Sequence, residues 1–196
     1  MSVSKNDVIA ENRYLSAAEM AVNAEYIWYK LTAAGWTQPS VAAILGNMES
    51  ESTINPAIWE NLTVNVNNGF GLVQWTPSTK FTLWAAGNGY ELTDIDGQLA
   101  RINYEVENGL QWIETDAYPI SFEEFKNSYA PPEMLAQAFL LNYERPADQN
   151  QPNRSTQALA WFNKFNGTGG GTAVSKRKGL SKLLLYGTVI RRYVVR

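Results

Sequence analysis

Histidine and cysteine are both absent from the 196 residues. Without histidine there is no Ser–His–Asp triad, no Cys–His dyad and no His-ligated zinc site. Without cysteine there are no thiol nucleophiles, no thiolate-bound metals and no disulfides. Catalysis then has to rest on carboxylates, hydroxyls, lysine, tyrosine or a metal held by oxygen, and carboxylates are the working groups of glycoside cleavage. Long apolar runs are missing too: none approaches the ~20 residues that a membrane helix needs. The opening stretch MSVSKNDVIAENRY lacks the apolar centre of a secretory signal. If the protein acts outside the cell that makes it, something other than such a signal is expected to carry it.

Apolar residues make up 45% of the chain and seven are tryptophan, which suits a packed globule of ordinary domain size rather than disorder. The net charge of −3 conceals an asymmetry. Beyond residue 172, seven of the 16 basic side chains occur with no acid, so residues 1–172 hold nine basic against 19 acidic side chains, a net of −10. An acidic body argues against nucleic acid as the main partner.

Apolar spacing predicts a mainly helical domain. SAAEMAVNAEYIWYKLTAAG reads as a first helix, with Ser16 and Glu19 as a capping box and Gly35 as its stop. TQPSVAAILGNMES reads as a second, with Pro39 in its first turn and Val41, Ile44, Leu45 and Met48 on one face. Gly46 inside it costs about 1 kcal/mol relative to alanine, and a close backbone approach or simple tolerance would each explain it. Residues 53–79 are rich in Asn, Thr, Gly and Pro and read as an irregular or β-containing insert. Further helices are expected in DIDGQLARINYEVENGLQWI (apolar positions Leu99, Ile102, Tyr104 and Val106), SFEEFKNS, PPEMLAQAFLLNYERP (opened by Pro132 and closed by Pro146) and STQALAWFNKFNG. The expected organisation is one mainly helical domain over 1–166, a Gly-rich linker over 167–172 and a basic-apolar tail over 173–196.

The stretch GNMESESTINP brings two carboxylates to the end of an apolar helix. Burying a carboxylate is costly unless it is paired, hydrogen-bonded or protonated, and active sites are where such groups collect. On a helical wheel, Glu49 and Glu51 flank the apolar stripe on opposite sides, and Ser52 falls closer to it. The negative end of the helix macrodipole and partial burial both favour the neutral form of a carboxyl there, as a general acid requires. Two solvated glutamates ending a helix is the competing reading, and periodicity alone does not separate the two.

The order of ESEST, GFGLVQW and NYERP resembles the lysozyme superfamily branch of goose-type lysozymes and soluble lytic transglycosylases. SESTINP, GFGLVQWTP and YERP followed by NQP resemble more closely the phage tail lysozyme domain, including tail-knob lysins of short-tailed phages of Gram-positive bacteria. The resemblance runs from about residue 14 to 167 and leaves out the basic tail. It implies an α+β lysozyme-like fold, no cofactor, no metal and Glu51 as the catalytic acid. Glu49 falls on the motif's variable position. As substrate-binding residues it implies Ser52, Gln74 of the Gly71–Gln74 turn and, by a looser match, Tyr143. Phe70 and Trp75, with Trp59, offer flat faces for sugar rings, with core packing as the alternative for each. Lysins of this kind often continue into a metallopeptidase domain, for which a chain without histidine has no ligands.

The implied substrate is the β-1,4 glycan strand of peptidoglycan, cleaved by a muramidase carried in the virion tail and used to open the host wall. An inverting hydrolase needs a second carboxylate, for which Glu60, Asp94, Asp96 and Glu144 are candidates, whereas a lytic transglycosylase needs none. A glycan-binding or structural tail protein is the alternative from another class. For the tail, docking onto other phage tail proteins is preferred to contact with an anionic membrane surface.

Overall fold

The computed structural model describes residues 3–167, so the expected tail at 173–196 and most of the expected linker lie outside the described residues. Helices dominate: α1 (Ala17–Ala33), α2 (Gln38–Ser52), α3 (Thr79–Gly87), α4 (Ile95–Glu107), α5 (Phe122–Lys126), α6 (Pro132–Phe139) and α7 (Pro152–Phe165). The fold is therefore mainly α. The expected insert after α2 is irregular, with one 3-10 turn at Glu60–Leu62 and an isolated antiparallel bridge between Trp59 and Phe70.

Several boundaries follow from the residues anticipated to set them. Glu19 accepts from both the backbone N–H and the hydroxyl of Ser16 (2.8 Å each), closing the capping box of α1. Gly35 stops that helix with φ +90°, a value that glycine reaches without steric cost. Pro39 occupies the first turn of α2, where no backbone N–H is needed. Three points depart from expectation. A short helix, α3, follows the insert where none was anticipated. In α4 the buried positions include Ile95, Gln98, Leu99, Ile102 and Glu105, whereas Tyr104, about 200° round from Ile102, is exposed. The helix opened by Pro132 widens into a π-turn at Leu140–Glu144 and ends where Arg145 turns left-handed.

The chain divides into two compact units, one of residues up to 27 with 47–111, the other of 28–46 with residues from 112 onward. In the first, Trp75 stacks on Phe81 (4.8 Å between ring centres), Phe81 on Phe70 (6.1 Å), and Trp59 tilts against Phe70 (4.7 Å). In the second, Phe122, Phe125, Phe139 and Trp112 form one aromatic cluster. Gly46 of α2 meets α7 there: a Cβ on it would lie 2.5 Å from the Arg154 carbonyl oxygen and 2.6 Å from the Ala158 nitrogen. Of the two explanations open to Gly46, close backbone approach is the correct one.

Candidate active site

The C-terminal end of α2 is built in an unusual way. Helices commonly end on a left-handed glycine, but here Thr53 and Ile54 both adopt left-handed φ, at +53° and +54°. The Ile54 N–H reaches back six residues to the Met48 carbonyl (3.2 Å), a wide bond that closes the helix end. Two consecutive β-branched residues in this region cost on the order of 1–3 kcal/mol each and persist only where the surroundings over-determine them. The turn is held from several sides. Thr53 Oγ1 accepts the Leu15 N–H (3.0 Å), the Asn23 amide donates to the Ile54 carbonyl (2.8 Å), and the Ile54 side chain is fully buried.

Glu51 lies in the last turn of α2 and is half-buried, as is Glu49. Ser52, only 1% exposed, faces the interior as the wheel anticipates. Its hydroxyl lies 2.9 Å from both the Met48 and the Leu72 carbonyls and accepts the Asn55 N–H at 3.3 Å. Ser52 thus fastens the helix end to the Gly69–Trp75 loop.

That loop carries Gln74. Gly71 turns it with φ +77°, and the Gln74 backbone is itself left-handed at +49°. The Gln74 Nε2 donates to nearby backbone, to the Gly71 carbonyl (2.9 Å) and the Ile58 carbonyl (3.3 Å). Its Oε1 lies against Gly69, where a Cβ would sit 2.8 Å away. Phe70 and Trp75 are buried in the first unit's core, and the Trp75 indole N–H donates to Glu105 Oε2 at 3.0 Å. Trp59 is half-buried. Ser52, Phe70, Gln74 and Trp75 therefore gather around one loop of the first unit. Tyr143 belongs to the second unit, 1% exposed and stacked on Phe139 at 4.6 Å.

Three of the carboxylates considered as a second catalytic group, Glu60, Asp94 and Asp96, are engaged in holding the fold. Glu60 accepts the Gly69 N–H (2.9 Å). Asp94 caps α4 through the Asp96 N–H (2.9 Å) and pairs with Lys5 at 2.8 Å. Asp96 accepts from the Tyr26 hydroxyl at 3.0 Å. Desolvation, then the hydrogen bond to Asp96, pushes that phenol above its ordinary range.

Two supports were not anticipated. Gln98, fully buried on α4, accepts the Leu72 N–H (2.8 Å) and donates to the Pro56 (2.6 Å) and Leu92 (3.1 Å) carbonyls. One side chain thereby joins the segment after α2 to the Gln74 loop. Glu105, the partner of Trp75, is itself held by Arg101 Nε at 3.0 Å and by a second guanidinium nitrogen at 2.9 Å. Their spacing, three residues after Ile95 and Ile102 respectively, was the only sequence signal that either faces inward.

The sequence profile of the phage tail lysozyme family matches residues 22–165. Morphogenesis protein 1 of Bacillus phage B103 is 50% identical over 161 residues, which cover 82% of this chain and 44% of that relative, so the chain spans less than half of the relative's length. With the Glu51–Ser52 helix end and the Gly71–Gln74 loop joined inside the matched region, the chain belongs to the phage tail lysozyme family.

Proposed function

We propose that the chain is a glycosidase that cleaves the β-1,4 glycan of peptidoglycan, with Glu51 as the general acid. The observation that carries the reading is the hydrogen bond from Ser52 to the Leu72 carbonyl, which fixes the acid's helix end against the Gln74 loop. Cleavage requires a proton on the leaving oxygen and stabilisation of an oxocarbenium-like carbon, and the Glu51 carboxyl is the group assigned to supply the proton. Both Nε2 protons of Gln74 are spent on backbone carbonyls, so its Oε1 is the atom offered to a donor such as an N-acetyl N–H of the sugar. Trp59 is half-buried and so the aromatic residue of this group best able to meet a sugar ring, while Phe70 and Trp75 are buried. Tyr143 remains a substrate-side residue on the strength of its motif alone.

Hydrolysis by a muramidase is the primary reading, following the closer resemblance. The structural engagement of Glu60, Asp94 and Asp96 favours a second one, lytic transglycosylation, in which the sugar's own 6-hydroxyl attacks and no second carboxylate is needed. Mass spectrometry of muropeptides released from purified Gram-positive walls decides between them. Reducing ends mean hydrolysis, anhydro-muramic ends mean transglycosylation, and no release at all refutes both in favour of a structural or glycan-binding role. The setting we propose is the virion tail, acting on the host wall during infection, with residues 173–196 docking onto other particle proteins. Deleting them should leave lysis of purified walls unchanged.

A further inference from the structure

We propose that residues 8–15 act as a clamp that positions the Glu51 end of α2, with Asn55 as its central positioning residue. The proposal rests on the reading of Glu51 as the acid and adds to it the arm itself, residues 8–15, which lies ahead of the family match at residue 22, whereas Asn23 and Asn55 lie within that match.

The arm has no helix or strand of its own. It is held instead by side-chain amides that replace the backbone partners a strand would supply. Asn55, fully buried three residues after Ser52, donates both amide hydrogens to the arm, to the Glu11 and Arg13 carbonyls at 2.7 Å each. Its Oδ1 accepts the Ala57 N–H at 3.0 Å, so every polar atom of the side chain is used. Asn23, also fully buried, exchanges hydrogen bonds with both backbone groups of Ile9 (2.8 Å each) and spends its remaining amide hydrogen on Ile54. The Leu15 N–H closes on Thr53 Oγ1. Asn12 bridges onward to the insert, accepting the Trp59 N–H and donating to the Leu62 carbonyl, each at 3.0 Å. Arg13 then ties the arm back to α1 through Glu19 at 2.6 Å.

These bonds converge on the two strained residues that follow Ser52. Left to themselves, Thr53 and Ile54 relax toward the extended region that β-branched residues prefer. Such a change unwinds the last turn of α2, which carries Glu51. The clamp opposes it by fixing both sides of the turn: Thr53 through Leu15, Ile54 through Asn23, and the chain just beyond through Asn55. None of these groups is assigned a contact with the substrate. Their effect on chemistry passes through the placement of the acid, where an error of about 1 Å can cost about a hundredfold in rate.

The test uses full-length Asn55→Ala and Asn12→Ala, with Leu135→Ala, a core substitution in the second unit, as a destabilised control. Rates are measured on soluble glycan fragments at a temperature where circular dichroism shows each variant folded. Asn55→Ala is expected to lower kcat by about tenfold to a hundredfold with KM little changed. Asn12→Ala, at an exposed position, should lower kcat less but in the same sense, and it carries the test if Asn55→Ala does not fold. Leu135→Ala should keep its kcat. Wild-type kcat in the asparagine variants, or losses that merely track melting temperature as in Leu135→Ala, would overturn the clamp. Glu51→Gln is assayed alongside: if it is inactive while Asn55→Ala is unaffected, the clamp alone fails, and if it is active, the assignment of the acid fails and the clamp with it.

Discussion

Replacing Gly71 by alanine perturbs the Gln74 loop at its most constrained point. The residue sits at φ +77°, where an alanine costs about 1–2 kcal/mol. The added Cβ would also lie 2.5 Å from Gln98 Oε1 and 2.9 Å from its Cδ and Nε2. Gln98 has no room to yield freely, because the same amide holds the Leu72 N–H and the Pro56 and Leu92 carbonyls. If it swings away, buried backbone groups lose their partners at about 1–3 kcal/mol for each group left unsatisfied. Alanine's smaller unfolded-state entropy returns about 0.4–1 kcal/mol. The net expectation is a loss of about 3–5 kcal/mol, a large part of a typical domain's stability. Urea denaturation measures it, with Gly87→Ala as the control. A methyl group added at Gly87 would meet nothing within 4 Å, so alanine there should be neutral or slightly stabilising. Wall lysis by folded Gly71→Ala should also fall, since Leu72 and Gln74 move with the loop. A Gly71→Ala protein within about 1 kcal/mol of wild type would refute the role assigned to Gln98 and the left-handed turn.

Gly46→Ala sets helix propensity against packing: propensity predicts a gain of about 1 kcal/mol, but backbone atoms of Arg154 and Ala158 stand in the way. The clash should win, with a net loss of about 1–3 kcal/mol in thermal or urea denaturation, and a stabilised variant would contradict the close approach. Hydrogen bonding to Arg13, then to the Ser16 backbone and hydroxyl, lowers the Glu19 carboxyl from 4.5 to about 2. A lowered folded-state value means that the stabilisation is complete above pH 4.5 and is lost as pH falls toward 2. Melting temperatures across that window should therefore decline less steeply for Glu19→Gln than for wild type.

Helix ends were the most legible part of the sequence, because they depend on neighbours: the Ser16–Glu19 box, Pro39 in a first turn and Gly35 at a stop all act within a few residues. The placement of Glu51 and Ser52 at the end of α2 followed from the same local reasoning. Helix α3 escaped because only Phe81 and Ala85 are buried in its nine residues, too few to display a helical period. Phe70 and Trp75 could have faced a ligand or a core, and only tertiary packing shows that their rings are buried. The supports of the site were hidden for a different reason. Asn23, Asn55 and Gln98 are amides, ordinarily surface residues, and their burial depends on backbone partners far away in sequence. The same holds for Thr53 and Ile54, which carry none of the glycine that marks a left-handed helix end.

The central claim is that Glu51, rather than its neighbour Glu49, delivers the proton to the glycan. Lysis of purified Gram-positive walls by Glu51→Gln and Glu49→Gln, each shown to be folded by circular dichroism, tests it most directly. The amide at 51 has no proton of suitable acidity to give, so Glu51→Gln should be inactive while Glu49→Gln keeps most of the wild-type rate. An active Glu51→Gln beside an inactive Glu49→Gln would contradict the account.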